Sequence, residues 1–122
     1  MAEHNELGKW GEQLACDILL QEGAVIRERN WTMGKLEIDI IAVKGDTIIF
    51  AEVKTRENMA DDPIEAVDAR KIKNIVRAAN AYMMSCEAPF DARFDLFAIN
   101  GTPDNYKVEH LPDAFDPPLR TY

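Results

Sequence analysis

The chain has 122 residues, 47% hydrophobic and 30% charged, which is room for a single domain over residues 1–122 and too little for two ordinary ones. No apolar run is long enough to span a bilayer and residues 1–6 lack a secretory pattern, so a cytoplasmic protein without membrane contact is the expectation. A formal net charge of −8 argues against a protein that coats nucleic acid nonspecifically, because such binding draws on phosphate neutralisation.

Residues 6–22 read as a helix ending at Gly23, with Leu7, Gly8, Gly11, Leu14, Ala15, Ile18 and Leu19 on one side at helical spacing. Two glycines on a buried side cost helix propensity, which predicts that another backbone or a ligand comes close there. Glu12 projects from the edge of that side, within reach of a site shared with a sheet. Cys16 and Cys86 have no metal-ligand spacing and read as small, mostly buried thiols. Residues 24–31 read as a half-exposed first strand, followed by a turn through Thr32, Met33 and Gly34.

Residues 36–43 and 47–55 are rich in β-branched and apolar side chains and are joined by Gly45-Asp46, a two-residue hairpin turn. That turn pairs Lys44 with Thr47, and the same register sets Asp39 opposite Glu52 and Glu37 opposite Lys54. Side-chain alternation then collects these four polar groups on one face, beyond Ile41, Val43, Ile48 and Phe50. The other face, Ile38, Ile40, Ala42, Ile49, Ala51 and Val53, is apolar and expected to be buried. Two carboxylates and a lysine on neighbouring strands are the minimum for metal-assisted phosphodiester hydrolysis. They equally fit an exposed cross-strand ion-pair ladder, stabilising by ~0.2–1 kcal/mol per pair.

Residues 56–62 read as a polar loop, and Pro63 opens a second helix over 63–85. Ile72, Ile75, Val76, Ala79, Tyr82 and Met83 form its apolar stripe, with Arg70, Lys73 and Arg77 in a basic row opposite. That row reads as a solvated face or a phosphate track. Lys71 falls on the other margin, where a phosphate, a carboxylate such as Asp95, or solvent reached by snorkelling are the alternatives. Residues 93–99 form a further strand, 106–111 another, and 112–122 an extended tail; His110 is given no catalytic part. Trp10 and Trp31 read as core or shoulder packing. The third strand, long helix and fourth strand make a crossover, so those two strands are expected to be parallel. The fold class is mixed α/β, one mixed sheet flanked by helices.

Asp39 with Glu52-Val53-Lys54 resembles the motif of the PD-(D/E)xK, restriction-endonuclease-like nuclease superfamily. The surrounding pattern is Gly8, Gly11-Glu12 and Ala15, then Asn30-Trp31, Glu37 to Ala42, Phe50 and Arg56, Glu65-Ala66-Val67, Lys71, and Arg93-Phe94-Asp95. Over residues 5–100 it resembles the uncharacterised bacterial YraN-like family, related to Holliday-junction resolvases. The resemblance implies an α-β-β-β-α-β core, Mg²⁺ or Mn²⁺, and a branched or structured DNA substrate. It implies catalytic parts for Asp39, Glu52, Lys54 and Glu12 and metal binding at Asp39, Glu52, Glu12 and Val53; nucleic-acid contacts are expected from Lys71 and Arg56, with Arg70, Lys73 and Arg77 as the basic row that would extend them. Leu36 stands where that family usually has glycine. Asp39 and Glu52 suit hard cations that retain waters, and Lys54 would oppose charge building on the phosphate. A noncatalytic module that binds nucleic acid or a protein on the same fold is the alternative, and a homodimer would serve either.

Overall fold

Gly45, at φ 60°, turns the chain between β2 (Leu36–Lys44) and β3 (Thr47–Arg56), and the ladder behind it begins at Lys44↔Thr47 as the two-residue loop requires. In this computed structural model, residues 2–57, 69–86 and 90–114 are described. The remaining elements are α1 (Ala2–Gln21), β1 (Val25–Met33), α2 (Ala69–Met84), β4 (Asp91–Thr102) and β5 (Asn105–Leu111). They build one five-stranded sheet in the order β1-β2-β3-β4-β5. The β3–β4 pair is parallel and the other three are antiparallel, the mixed sheet that the crossover required.

The sheet is buried on both faces. Against α2 lie Ile41, Ile48, Phe50 and Phe94, packed on Ile75, Val76, Ala79 and Tyr82. Against α1 lie Ile40, Ala42, Ile49, Ala51 and Phe97, packed on Ala15, Cys16 and Leu19. The predicted stripe of α2 is thus its buried side, while Arg70, Lys73 and Arg77 are exposed. Gly11 carries the close approach that its position predicts: a Cβ there would overlap Thr55 Oγ1 on β3. Gly8 does not, since nothing lies within 4 Å of its missing Cβ. Cys16 is buried and Cys86 partly so, both as free thiols. Trp10 meets Tyr106 edge-on at 5.1 Å between ring centroids, and Trp31 meets Tyr82 at 5.2 Å.

Four expectations need correction. Thr32 and Met33 are strand, not turn, because Met33 pairs with Leu36 across Gly34-Lys35. Leu36 therefore begins a paired strand as an ordinary L-residue, and the positive φ, 61°, falls on Gly34. The β2–β3 pairing stops at Ile40↔Ala51, so the expected Asp39–Glu52 and Glu37–Lys54 pairs are not ladder pairs. Finally, Ile38 packs on the α2 side with Ile41, while Ile40 keeps to the α1 side. The pleat is interrupted between them at Asp39, flanked by the pairs Arg29↔Ile40 and Trp31↔Ile38. Asn30, lying between those pairs on β1, has a φ of 53°, although the β1–β2 register runs unchanged across it and shifts between Ile26 and Glu28.

Residues 1, 58–68, 87–89 and 115–122 lie outside the described residues, and with them Pro63, most of the tail and the expected polar loop beyond Glu57; Arg56, expected in that loop, is instead the last residue of β3. The tail's first residues are tied down: the amides of Asp113 and Ala114 donate to Asp95 Oδ1 at 3.1 Å and to the Phe94 carbonyl at 2.7 Å.

Candidate active site

Glu52 reaches the site on β3, the strand paired on both sides at the sheet centre, and its alternation with Phe50 and Lys54 is held by a continuous parallel register against β4. Asp39 reaches it from β2 just past the last β2–β3 pair. Where the two strands part, the Val53 amide donates to Asp39 Oδ2 at 2.8 Å, so a side chain satisfies a main-chain donor at the opening. Asp39 also hydrogen-bonds Glu52, which brings the two carboxyl groups into direct contact. Burial first, and the Glu52 charge second, push the Asp39 carboxyl up to about 8 despite the Val53 amide.

The positive charge nearest this pair comes from α2. Lys71 Nζ lies 3.1 Å from Glu52 Oε2; the glutamate side chain is 5% exposed and the lysine side chain 44%. Burial works against the Lys71 ammonium, but Glu52, with Asp39 and Glu37 behind it, holds its pKa above the ordinary lysine value. Of the alternatives for Lys71, the carboxylate partner is realised, but with Glu52 and not Asp95. The ion pair at the site is thus made between helix and sheet, and the cross-strand ladder is absent from it.

These groups line one pocket of about 290 Å³ together with Lys35, Leu36, Asn74 and Ile75. Lys35 and Asn74 are polar pocket residues that sequence reasoning did not single out. Lys35 stands in the β1–β2 turn, two residues before Glu37 and four before Asp39, and that period-two spacing was the available signal. Lys54 shares the face of Glu52 by alternation and is partly exposed, but does not line the pocket. Arg56 lies further along β3 and is partly exposed.

Glu12, on α1, does not line the pocket. Its Oε1 accepts from Asn30 Nδ2 at 3.0 Å and lies 3.9 Å from Arg29 Nη2, and its charge adds to the upward push on Asp39. The donor side chain comes from the same Asn30 whose backbone is left-handed within β1. Sequence reasoning noted Asn30 only within a pattern; an asparagine inside a strand of β-formers was the available signal, since Asn tolerates the left-handed region.

Among the described residues, no three carboxylate, imidazole or thiolate side chains are gathered closely enough to hold a metal ion. The donor set is the contacting pair Asp39 and Glu52, with Glu12 behind. Two hard oxygen ligands opening on a pocket with room for water fit Mg²⁺ or Mn²⁺, which keep several waters when bound. Burial and Glu52 favour a proton on Asp39, and a cation entering between the two carboxyl groups would take that proton's place. Val53 contributes its amide to Asp39.

Asp95, grouped with Arg93 in the sequence pattern, belongs elsewhere. Its carboxylate is fully buried beneath β5, where Arg93 Nε and Nη2 each donate to it at 2.8 Å and His110 Nε2 faces it at 2.7 Å. His110 Nδ1 faces Glu22 Oε2 at 3.0 Å, and its ring stacks on Phe97 at 4.1 Å. This network ties β5 to the end of α1, and His110 takes its place as a structural link outside the pocket.

The family described as "Uncharacterised protein family UPF0102" matches residues 11–99 of the chain. A UPF0102 protein of Bacteroides thetaiotaomicron is 48% identical over 98% of this chain and 99% of its own length. One of Flavobacterium psychrophilum is 43% identical over 94% of this chain and 98% of its own, and one of Parabacteroides distasonis 39% identical over 98% and 100%. No helix of the described chain is long and apolar enough to cross a membrane.

Proposed function

This chain belongs to the uncharacterised protein family UPF0102, and we propose that it is a metal-dependent endonuclease that hydrolyses phosphodiester bonds in branched or structured DNA. The observation that carries the reading is the contact between Asp39 and the buried Glu52 at an open pocket. Placing two carboxyl groups in contact is costly in an isolated fold and becomes favourable when a cation is bound between them.

Bound there, Mg²⁺ or Mn²⁺ would supply a polarised water and offset charge on the phosphate. Asp39 and Glu52 are the residues that would hold it, with Glu12 reaching it through water. Lys54, on the face of Glu52, and Lys71 and Lys35, in the pocket wall, would meet the anionic substrate as point charges. Arg70, Lys73 and Arg77 would extend that positive surface along α2, and Arg56 along β3. A two-fold pair of chains would present two such sites to a two-fold junction.

The test is incubation with Mg²⁺ or Mn²⁺ and with junction, flap and single-stranded substrates. Cleavage is expected for the native chain, with none for Asp39→Asn or Glu52→Gln. Equal cleavage by native and Asp39→Asn protein would sink the catalytic reading. The net charge of −8 favours a second reading, a module on this fold that binds a nucleic acid or protein partner without cutting. Salt-sensitive DNA binding without cleavage, or salt-insensitive binding to a protein, would identify that case.

A further inference from the structure

Glu52 and its counter-charge differ in how firmly they are placed. The glutamate is 5% exposed on a strand paired on both sides, whereas the lysine that faces it at 3.1 Å keeps 44% of its side chain exposed. Lys71 is the third residue of α2, one turn before the buried Ile75, so its backbone is fixed by the core while four rotatable bonds carry the ammonium. The carboxylates are therefore deep and fixed, while the ammonium beside them is carried in on a half-exposed, flexible stem.

We propose that Lys71 is a displaceable counter-ion, which neutralises Glu52 in the metal-free protein and gives up its place on Oε2 when a divalent cation enters the pocket. This rests on the reading of Asp39 and Glu52 as a cation site. An ammonium and a divalent ion cannot share one carboxylate oxygen at contact distance without strong repulsion, so binding of one expels the other. The stem of Lys71 lets the ammonium swing away from Oε2 without moving Ile75 or Tyr82 from the core. Two consequences follow. The metal-free chain is spared a buried unpaired glutamate, and the ammonium is released toward an entering anion only when metal is present, which couples the two binding events.

The experiment is calorimetric titration of Mn²⁺ into the native chain, Lys71→Met and Lys71→Arg. Methionine keeps much of the stem without the charge, so Lys71→Met is expected to bind Mn²⁺ about 5-fold tighter or more, the lower range of such couplings. Lys71→Arg keeps the competing charge and should stay near the native affinity. Metal-free Lys71→Met should melt below the native chain, with the gap closing at saturating Mn²⁺. Equal or weaker binding by Lys71→Met overturns the displacement while leaving the metal site standing, and no binding by the native chain overturns both.

Should Lys71→Met fail to fold, the native chain itself gives the answer through ¹³C-methylated lysines, with the Lys71 signal identified by its loss in Lys71→Arg. That signal is expected to shift on saturation with Mg²⁺. A Lys71 signal that stays put in Mg²⁺-loaded protein overturns the proposal.

Discussion

Asp39 meets the main-chain amide of Val53 through its side chain, at 2.8 Å, one residue beyond the last backbone pair between β2 and β3. That bond does two things at once. It satisfies a strand donor where the sheet opens, and it holds the Asp39 carboxyl beside Glu52.

The pH dependence of stability should carry this arrangement. The Asp39 carboxyl is pushed from an ordinary 3.8 up to about 8, by burial first and by Glu52 second. A folded-state pKa above the unfolded one gives a contribution fully present below the unfolded value and lost as pH rises through about 8. Urea unfolding of the native chain should therefore weaken between pH 4 and pH 8 more steeply than that of Asp39→Asn. At pH 9, Asp39→Asn should be the more stable by on the order of 2 kcal/mol. Parallel profiles for the two proteins would count against the buried pair. Saturating Mg²⁺ should remove the difference by stabilising the native chain alone.

Asp95 should show the opposite sign. Burial raises its pKa, but hydrogen bonds from Arg93, His110 and the Asp113 amide outweigh burial and leave it below the ordinary value. Its contribution is present above the unfolded pKa and lost as pH falls through the lower folded one. Asp95→Asn should cost ~3–5 kcal/mol at pH 7, because it leaves the Arg93 guanidinium and His110 without their shared anion. Its Mn²⁺ affinity should be unchanged. Urea unfolding and calorimetry check the two halves separately, and a loss of Mn²⁺ binding would place Asp95 at the metal site after all.

Asn30 separates backbone from side-chain effects. Asn30→Gly keeps the left-handed φ of 53° accessible and removes only the amide that holds Glu12. Asn30→Ala removes both, and should be less stable than Asn30→Gly by ~1–2 kcal/mol in urea unfolding. Both should lower cleavage to a similar extent if the role of Asn30 is to place Glu12. Full activity in Asn30→Gly would show that Glu12 needs no such support.

The two glycines of α1 should respond oppositely. Gly11→Ala drives a Cβ into Thr55 Oγ1 and should destabilise by ~1–3 kcal/mol, as overpacking does. Gly8→Ala meets nothing within 4 Å and should stabilise by up to ~1 kcal/mol through helix propensity. Thermal melts of the two variants are sufficient, and a stabilising Gly11→Ala would show that α1 does not rest on β3 at Thr55.

Much of this was legible in the sequence because it followed from local periodicity. The Gly45-Asp46 turn set the β2–β3 register as far as Ile40↔Ala51, and the stripe of α2 matched its buried side. What was not legible depended on single residues acting across elements. Extrapolating the ladder to Glu37 and Lys54 assumed an unbroken pleat, but β2 switches faces between Ile38 and Ile40, and no residue type along it marks the switch. The partner of Lys71 depended on how α2 sits over the sheet, a tertiary quantity that helical spacing narrows to a margin and leaves open between Glu52 and Asp95. His110 looked peripheral because its partners, Asp95 and Glu22, lie far from it along the chain.

The early end of the β2–β3 ladder gives the two carboxylates different mechanical characters. Glu52 rides a strand whose register with β4 runs unbroken from Thr47↔Asp91 to Arg56↔Asn100, whereas Asp39 lies beyond the last tie to β3 and is fastened there by its own side chain. Should the pair hold a cation, adjustment to its radius would fall to the Asp39 side chain and its bond to the Val53 amide, leaving the β3–β4 register undisturbed.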